Sequence, residues 1–247
     1  MGLLRWNGLT LAVLLTGFFV PMVAGGIEIG DGGTKQEMNP TGRSPKTIVI
    51  IGASYAGGWT SERPVTGYRT INKGVNGEQS FEMLARFEAD VVALKPDAVI
   101  IWGFINDVFR SDRDRIDQTL RRTRESFLTM VELSKKSGIT PILATEVTIR
   151  GKAGWSEPFE EMIGKLLGKS SYQEYVNGHV IETNRWIRDL AAREALLLID
   201  LETVLADQHG KRRREFARPD GSHISPQGYE ALTRYSEDKI RIALSSK

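Results

Sequence analysis

Residues 47–59 read TIVIIGASYAGGW. The run from Thr47 to Ile51 is β-branched throughout and too short for a helix, the pattern of a strand buried on both faces of a parallel sheet. Gly52 ends it, and a turn of small residues follows with a hydroxyl at Ser54. Open α/β sheets place their chemistry at the carboxyl ends of strands, so Ser54 is a candidate nucleophile. The competing reading makes Ser54 a helix cap.

Outward from this stretch, apolar strands alternate with amphipathic helices. Strands are expected at Arg69 to Asn72, Ala98 to Trp102, Thr140 to Thr145 and Leu196 to Asp200, and residues 57–68 are expected to form a loop with at most a short helix. Ser80 reads as the N-cap of a helix running towards Leu94 and stopped by Pro96. Ile116, Leu120, Phe127, Met130 and Val131 recur at helical spacing between Asp114 and Ser137. Further helices are expected from Tyr172 to Glu194, near Glu202 to Ala206, and from Gln227 to Ala243. The pattern predicts one flavodoxin-like α/β/α domain of three layers around a mostly parallel five-stranded sheet, spanning residues 46–247.

At 247 residues, with 40% hydrophobic and 26% charged residues, the composition is that of a globular chain able to bury a sizeable core. Thirty-three basic residues against 31 acidic ones give a net charge of +2. No field therefore favours nucleic acid, and the cluster Lys211 to Arg214 reads as a solvated loop. The absence of cysteine excludes disulfides, thiolate metal sites and a cysteine nucleophile. Arg5, the apolar run Leu9 to Ala24 and the small residues Ala24-Gly25-Gly26 read as a signal peptide, or alternatively an N-terminal anchor, over residues 1–24. Either implies export, with membrane contact only through that segment. Residues 25–45, rich in Gly, Thr, Asn and Pro, read as a flexible leader.

The chain has three histidines. His179 falls within an expected helix and His209 in a Gln-His-Gly turn, whereas His223 closes Asp220-Gly221-Ser222-His223. An aspartate three residues before a histidine on a tight turn can reach Nδ1 and leave Nε2 to take a proton from a serine; alternatively Asp220 and Ser222 cap the C-terminal helix. Gly77 can offer a close backbone N–H and Asn106 a side-chain amide to a developing oxyanion. Each also has a structural reading, as a turn glycine and a loop-bonding asparagine.

The order of these blocks resembles the SGNH hydrolase superfamily, the GDSL-type esterases and lipases. The matching stretches are GASYAGGW, NKGVNGEQS, GFIND and DGSHISPQGY. The resemblance implies Ser54 as nucleophile, His223 as base and Asp220 as its orienter. It further implies an oxyanion hole from the Ser54 N–H, the Gly77 N–H and the Asn106 side chain, with no metal or cofactor. Two departures are visible: Ala53 and Tyr55 flank the serine where Asp and Leu are usual, and two residues separate Gly103 from Asn106 where one is commoner. The G-x-S-x-G elbow of α/β-hydrolases fits less well, because here the serine follows the first strand of the domain.

Between Gly151 and Ser171, Trp155, Phe159, Ile163 and Leu167 have helical spacing and read either as a helix on the core or as an acyl-binding wall or lid. The implied activity is cleavage of small-molecule acyl esters. Transfer of the acyl group to another hydroxyl, carbohydrate deacetylation, and a non-catalytic flavodoxin-like binding module are the alternatives.

Overall fold

The computed structural model describes residues 45–59, 67–150 and 172–245. The signal or anchor segment, the leader as far as residue 44 and the four residues of the expected acyl wall lie outside them. Five strands, β1 (Thr47–Gly52), β2 (Arg69–Gly74), β3 (Ala98–Trp102), β4 (Thr140–Ala144) and β5 (Leu197–Ile199), form one sheet in the order β2-β1-β3-β4-β5. All four pairings are parallel.

The two central strands explain why the sequence was readable. Every residue of β3 is buried, as is β1 from Ile48 onward, so a continuous β-branched run is what both positions demand. Gly52 pairs with Trp102 across β1 and β3. A Cβ at Gly52 would lie 2.0 Å from the Trp102 carbonyl oxygen; the strands approach there as only glycine permits.

Helix α1 (Ser54–Gly58) follows β1 directly, and only its last two residues fall in the 57–68 stretch expected to be loop with at most a short helix. The expected helix from Ser80 is broken into α2 (Ser80–Ala85), α3 (Phe87–Asp90) and a single 3₁₀ turn at Val92–Leu94. Its N-cap is Gln79 rather than Ser80: Gln79 and Glu82 form a reciprocal capping box. The short α4 (Ile105–Phe109) follows β3.

Helices α5 (Ile116–Lys136) and α6 (Tyr172–Arg193) match their expected spans closely. They lie side by side, linked by Arg124–Glu182 at 2.8 Å and Lys135–Glu194 at 2.7 Å. After β5 come α7 (Leu201–Leu205) and α8 (Pro226–Ser245). Helix α8 packs against α1 instead: Trp59 Nε1 donates to Thr233 Oγ1 at 2.9 Å and Tyr229 Oη to the Tyr55 carbonyl at 3.1 Å. Right-handed crossovers on this strand order put α1 and α8 on one face of the sheet and α2, α5 and α6 on the other. Among the described residues no helix is long and apolar enough to cross a membrane.

The connection from β1 runs one way, to β2, while β3 lies on its other side. That reversal opens a crevice beyond the carboxyl ends of β1 and β3, the usual ligand position in such sheets.

Candidate active site

Ser54 is the first residue after the β1 turn, and Asn106 lies in the first turn of α4, just after β3, so the strand order alone brings them to one crevice. Gly77 follows β2 with φ of +79°, a left-handed conformation that glycine adopts without strain. A pocket of about 300 Å³ is lined by Ser54, Gly77, Asn106 and His223, together with Tyr55, Asn76, Ile105, Phe109 and Ser222.

Ser54 is not a cap: the N-cap of α1 is Ala53, and no side chain caps the helix. The Ser54 and Gly77 N–H groups donate to no other group among the described residues, as expected of a first helical turn and an open loop. The Asn106 amide donates one N–H to the Glu78 carbonyl at 2.9 Å. This fixes its orientation and leaves the second N–H to donate elsewhere.

The histidine turn is held by its own aspartate. Asp220 Oδ1 accepts from the backbone N–H groups of Ser222 and His223, each at 2.8 Å, and from Ser222 Oγ at 3.1 Å. His223 Nδ1 donates to Asp220 Oδ2 at 2.9 Å, which leaves Nε2 as the acceptor of the neutral ring. Burial alone would push the Asp220 carboxyl up, but the hydrogen bonds from His223 and Ser222 outweigh it and hold the group well below the usual carboxylate range. Neither Asp220 nor Ser222 caps the C-terminal helix; Ser225 Oγ does, accepting from the Gly228 N–H at 3.1 Å. Ser54 and His223 share the pocket but make no direct hydrogen bond, a separation common in ligand-free sites.

The GDSL-like lipase/acylhydrolase family model matches residues 51–231, most of the chain and every block of this pocket. The chain belongs to that family. Membership places it among ester hydrolases. An acetylxylan esterase of Geobacillus stearothermophilus is 34% identical over 88 residues, 36% of this chain and 37% of that protein, so the match spans little more than a third of the relative's length. An uncharacterized lipoprotein of Bacillus subtilis, YqeF, is 25% identical over 170 residues, covering 64% of this chain and 68% of its own. In fold, a G-D-S-L family protein from Desulfitobacterium hafniense superposes with a TM-score of 0.61 at 22% identity, over 78% of this chain and 99% of that one.

The GDSL-family scaffold carries here a buried support that the sequence did not reveal. Arg212 is fully buried, which corrects the expectation that Lys211 to Arg214 is simply a solvated loop. Ala206 and Arg212 form an antiparallel bridge, and in such a pairing successive side chains point to opposite sides. Arg212 Nη1 donates to the Ser222 carbonyl at 2.8 Å and Nη2 to Tyr55 Oη at 3.1 Å. Tyr55 Oη in turn donates to the same Ser222 carbonyl at 2.5 Å. Desolvation pushes the Tyr55 phenol up to about 12, so it stays a donor at neutral pH. The residue after the candidate nucleophile is thus tied to the residue before the candidate base. A run of four basic residues offered no sign that one of them turns inward.

Two buried carboxylates brace the asparagine side. Glu146 accepts from the Phe104 and Ile105 N–H groups at 3.0 and 3.2 Å and from the Val147 N–H at 3.0 Å, fixing the start of α4. Burial pushes its carboxyl up, against those hydrogen bonds and the charge of Arg212. Asp107 accepts from the Ser80 N–H at 2.8 Å, Ser80 Oγ at 2.6 Å and Thr123 Oγ1 at 2.8 Å, tying α4 to α2 and α5. It too is raised by burial. Among the described residues no group of three or more His, Asp or Glu is placed to hold a metal ion.

Proposed function

We propose that this chain is a serine esterase acting on small-molecule acyl esters, with Ser54 as nucleophile, His223 as general base and Asp220 as the group that orients it. The observation that carries this reading is the convergence of Ser54, Gly77, Asn106 and His223 on one pocket, with the His223 ring already bonded to Asp220. Ser54 Oγ attacks the carbonyl carbon while His223 Nε2 takes the hydroxyl proton. The oxyanion receives the Ser54 N–H, the Gly77 N–H and the second N–H of Asn106. The bond to the alcohol then breaks, protonated His223 returns its proton to the leaving oxygen, and Ser54 is left acylated. Water attacks the acyl-enzyme with His223 again as base, releasing the acid and restoring the Ser54 hydroxyl.

Because Ser54 and His223 are not bonded to each other, substrate binding has to bring the two into contact, which a small movement of the exposed His223 ring supplies. Residues 46–247 form the catalytic domain in this proposal. Residues 1–24 direct export, in keeping with the lipoprotein relative, although a lipid on cysteine is ruled out here.

A fluorophosphonate probe tests the reading: it labels Ser54 in the intact chain and nothing in Ser54→Ala. Labelling that survives in the variant would remove Ser54 as nucleophile. Activated esters from acetate to palmitate, assayed with and without an added sugar acceptor, then define the acyl group and separate hydrolysis from transfer.

A further inference from the structure

Beside the catalytic pocket lies a second cleft, of about 650 Å³, that the proposed reaction does not use. Arg110, Arg115, Arg121 and Arg122 line it, and Asp112 and Glu125 are the acids in its wall, so positive charge exceeds negative by two. Several arginines elsewhere are neutralised by acids, Arg86 by Glu78 and Asp90, Arg124 by Glu182 and Arg188 by Asp200 and Glu202. Among the described residues none of the four cleft arginines makes an ion pair. Arg122 is held from below, its guanidinium 4.0 Å over the Phe81 ring.

Arg110 joins the two cavities. It directly follows Phe109, which lines the catalytic pocket, and its N–H donates to the Asn106 carbonyl at 3.0 Å. Its Nη2 sits 2.8 Å from where a Cβ on Gly77 would stand, so the guanidinium lies against the glycine of the proposed oxyanion hole. Unpaired guanidinium forks gathered in a cleft match the planar geometry of carboxylate and phosphate and concentrate such anions locally.

We propose that this cleft is an anion-binding subsite, taking a carboxylate or phosphate carried by the ester itself, so that the enzyme selects anionic esters over neutral ones. The proposal rests on the esterase reading of the adjoining pocket. The anion can sit on either side of the scissile bond, and the experiment separates the two.

Two matched pairs are assayed with the full chain: phenyl acetate against 4-carboxyphenyl acetate, and p-nitrophenyl valerate against p-nitrophenyl hemisuccinate. At about 20 mM salt the anionic member of at least one pair is expected to show kcat/KM about tenfold higher, mainly through KM, the size of one charge-assisted contact. The advantage shrinks towards parity at about 0.5 M salt, where exposed charges are screened. Arg110→Glu should cancel it; Arg115→Glu with Arg121→Glu, both on the exposed wall, does the same if Arg110→Glu fails to fold. Equal kcat/KM within both pairs at low salt, or a preference indifferent to salt and to charge reversal, overturns the subsite while leaving the esterase reading intact. Turnover of none of the four esters by folded protein overturns both.

Discussion

The two flanks of the proposed catalytic pocket both carry arginine, in opposite states. On the histidine flank Arg212 is fully buried, its Nη groups bonded to the Ser222 carbonyl and Tyr55 Oη. On the asparagine flank Arg110 is exposed and has no ion-pair partner among the described residues. A desolvated guanidinium with fixed acceptors holds geometry, because any displacement leaves a charge unsatisfied in a medium that cannot solvate it. A hydrated, unpartnered one costs little to keep and is available to a ligand. The same side chain thus supports the site on one flank and can read charge on the other.

The first way to break this comparison is to remove the chemistry both flanks serve. Ser54→Ala and His223→Ala should each lower kcat by about 10⁴-fold or more with the fold intact by circular dichroism, and the double variant should be no worse than either, since the pair acts as one unit. Multiplicative losses would show that the two residues act separately.

On the asparagine flank, Asn106→Ala should reduce kcat by roughly 10²- to 10³-fold with little change in KM, the effect of losing one oxyanion donor. Its neighbour gives the contrast. Asp107→Asn should keep kcat within about tenfold and instead cost about 1–3 kcal/mol of stability, because the buried carboxylate accepts three hydrogen bonds that an amide satisfies only in part. Steady-state kinetics and urea melts on the two variants check this; reversed outcomes would exchange the roles of the two residues.

On the histidine flank, Arg212→Met is expected to cost about 1–3 kcal/mol of stability, since the Ser222 carbonyl and the buried Tyr55 Oη each lose a donor. A loss below about 1 kcal/mol in urea denaturation would mean that burial of Arg212 holds nothing in place, and the contrast between flanks would disappear.

The smallest effect concerns pH. The folded Asp220 carboxyl is depressed relative to the unfolded chain, so it contributes stability above the unfolded value of about 3.9, and that contribution is lost as pH falls towards the folded value. The melting temperature of Asp220→Asn should therefore lie below that of the parent near neutrality, and the gap should begin to narrow only below about pH 4, closing as pH approaches the depressed folded value. A gap unchanged on acidification would argue against the ionised Asp220–His223 bond.

Legibility in the sequence followed dimensionality. The central strands announced themselves because burial on both faces leaves no polar position, and Ala98–Trp102 was delimited to the residue. The long helices α5 and α6 were equally clear from their spacing. Among the short helices, α7 was expected within a residue of its place, whereas α1 and α4, five residues each, were not delimited, because little periodicity develops over fewer than two turns. Likewise the stretch from Ser80 kept a helical composition, yet Arg86 breaks it where its side chain turns to pair with Glu78 and Asp90. Ser54, Gly77, Asn106 and His223 in the pocket, and Asp220 behind His223, could be named because each sits at a strand end or in a tight turn. Arg212, Glu146 and the Tyr55 hydroxyl could not, since what they do depends on partners 10 to 167 positions away.

The bond from Tyr55 to Ser222 also sets a clock. Its partners are 167 residues apart in the chain, and synthesis at about 5–20 residues/s places roughly 10–30 s between their appearances. During that interval the sheet around Ser54 can form, since β1, β2 and β3 are all complete by Trp102. The proposed base His223 and its supports Arg212 and Asp220 are made only after all five strands of the sheet. On the proposed mechanism, a nascent or truncated chain exposes Ser54 without a partner to activate it, and hydrolytic competence waits for the segment that carries Asp220 and His223.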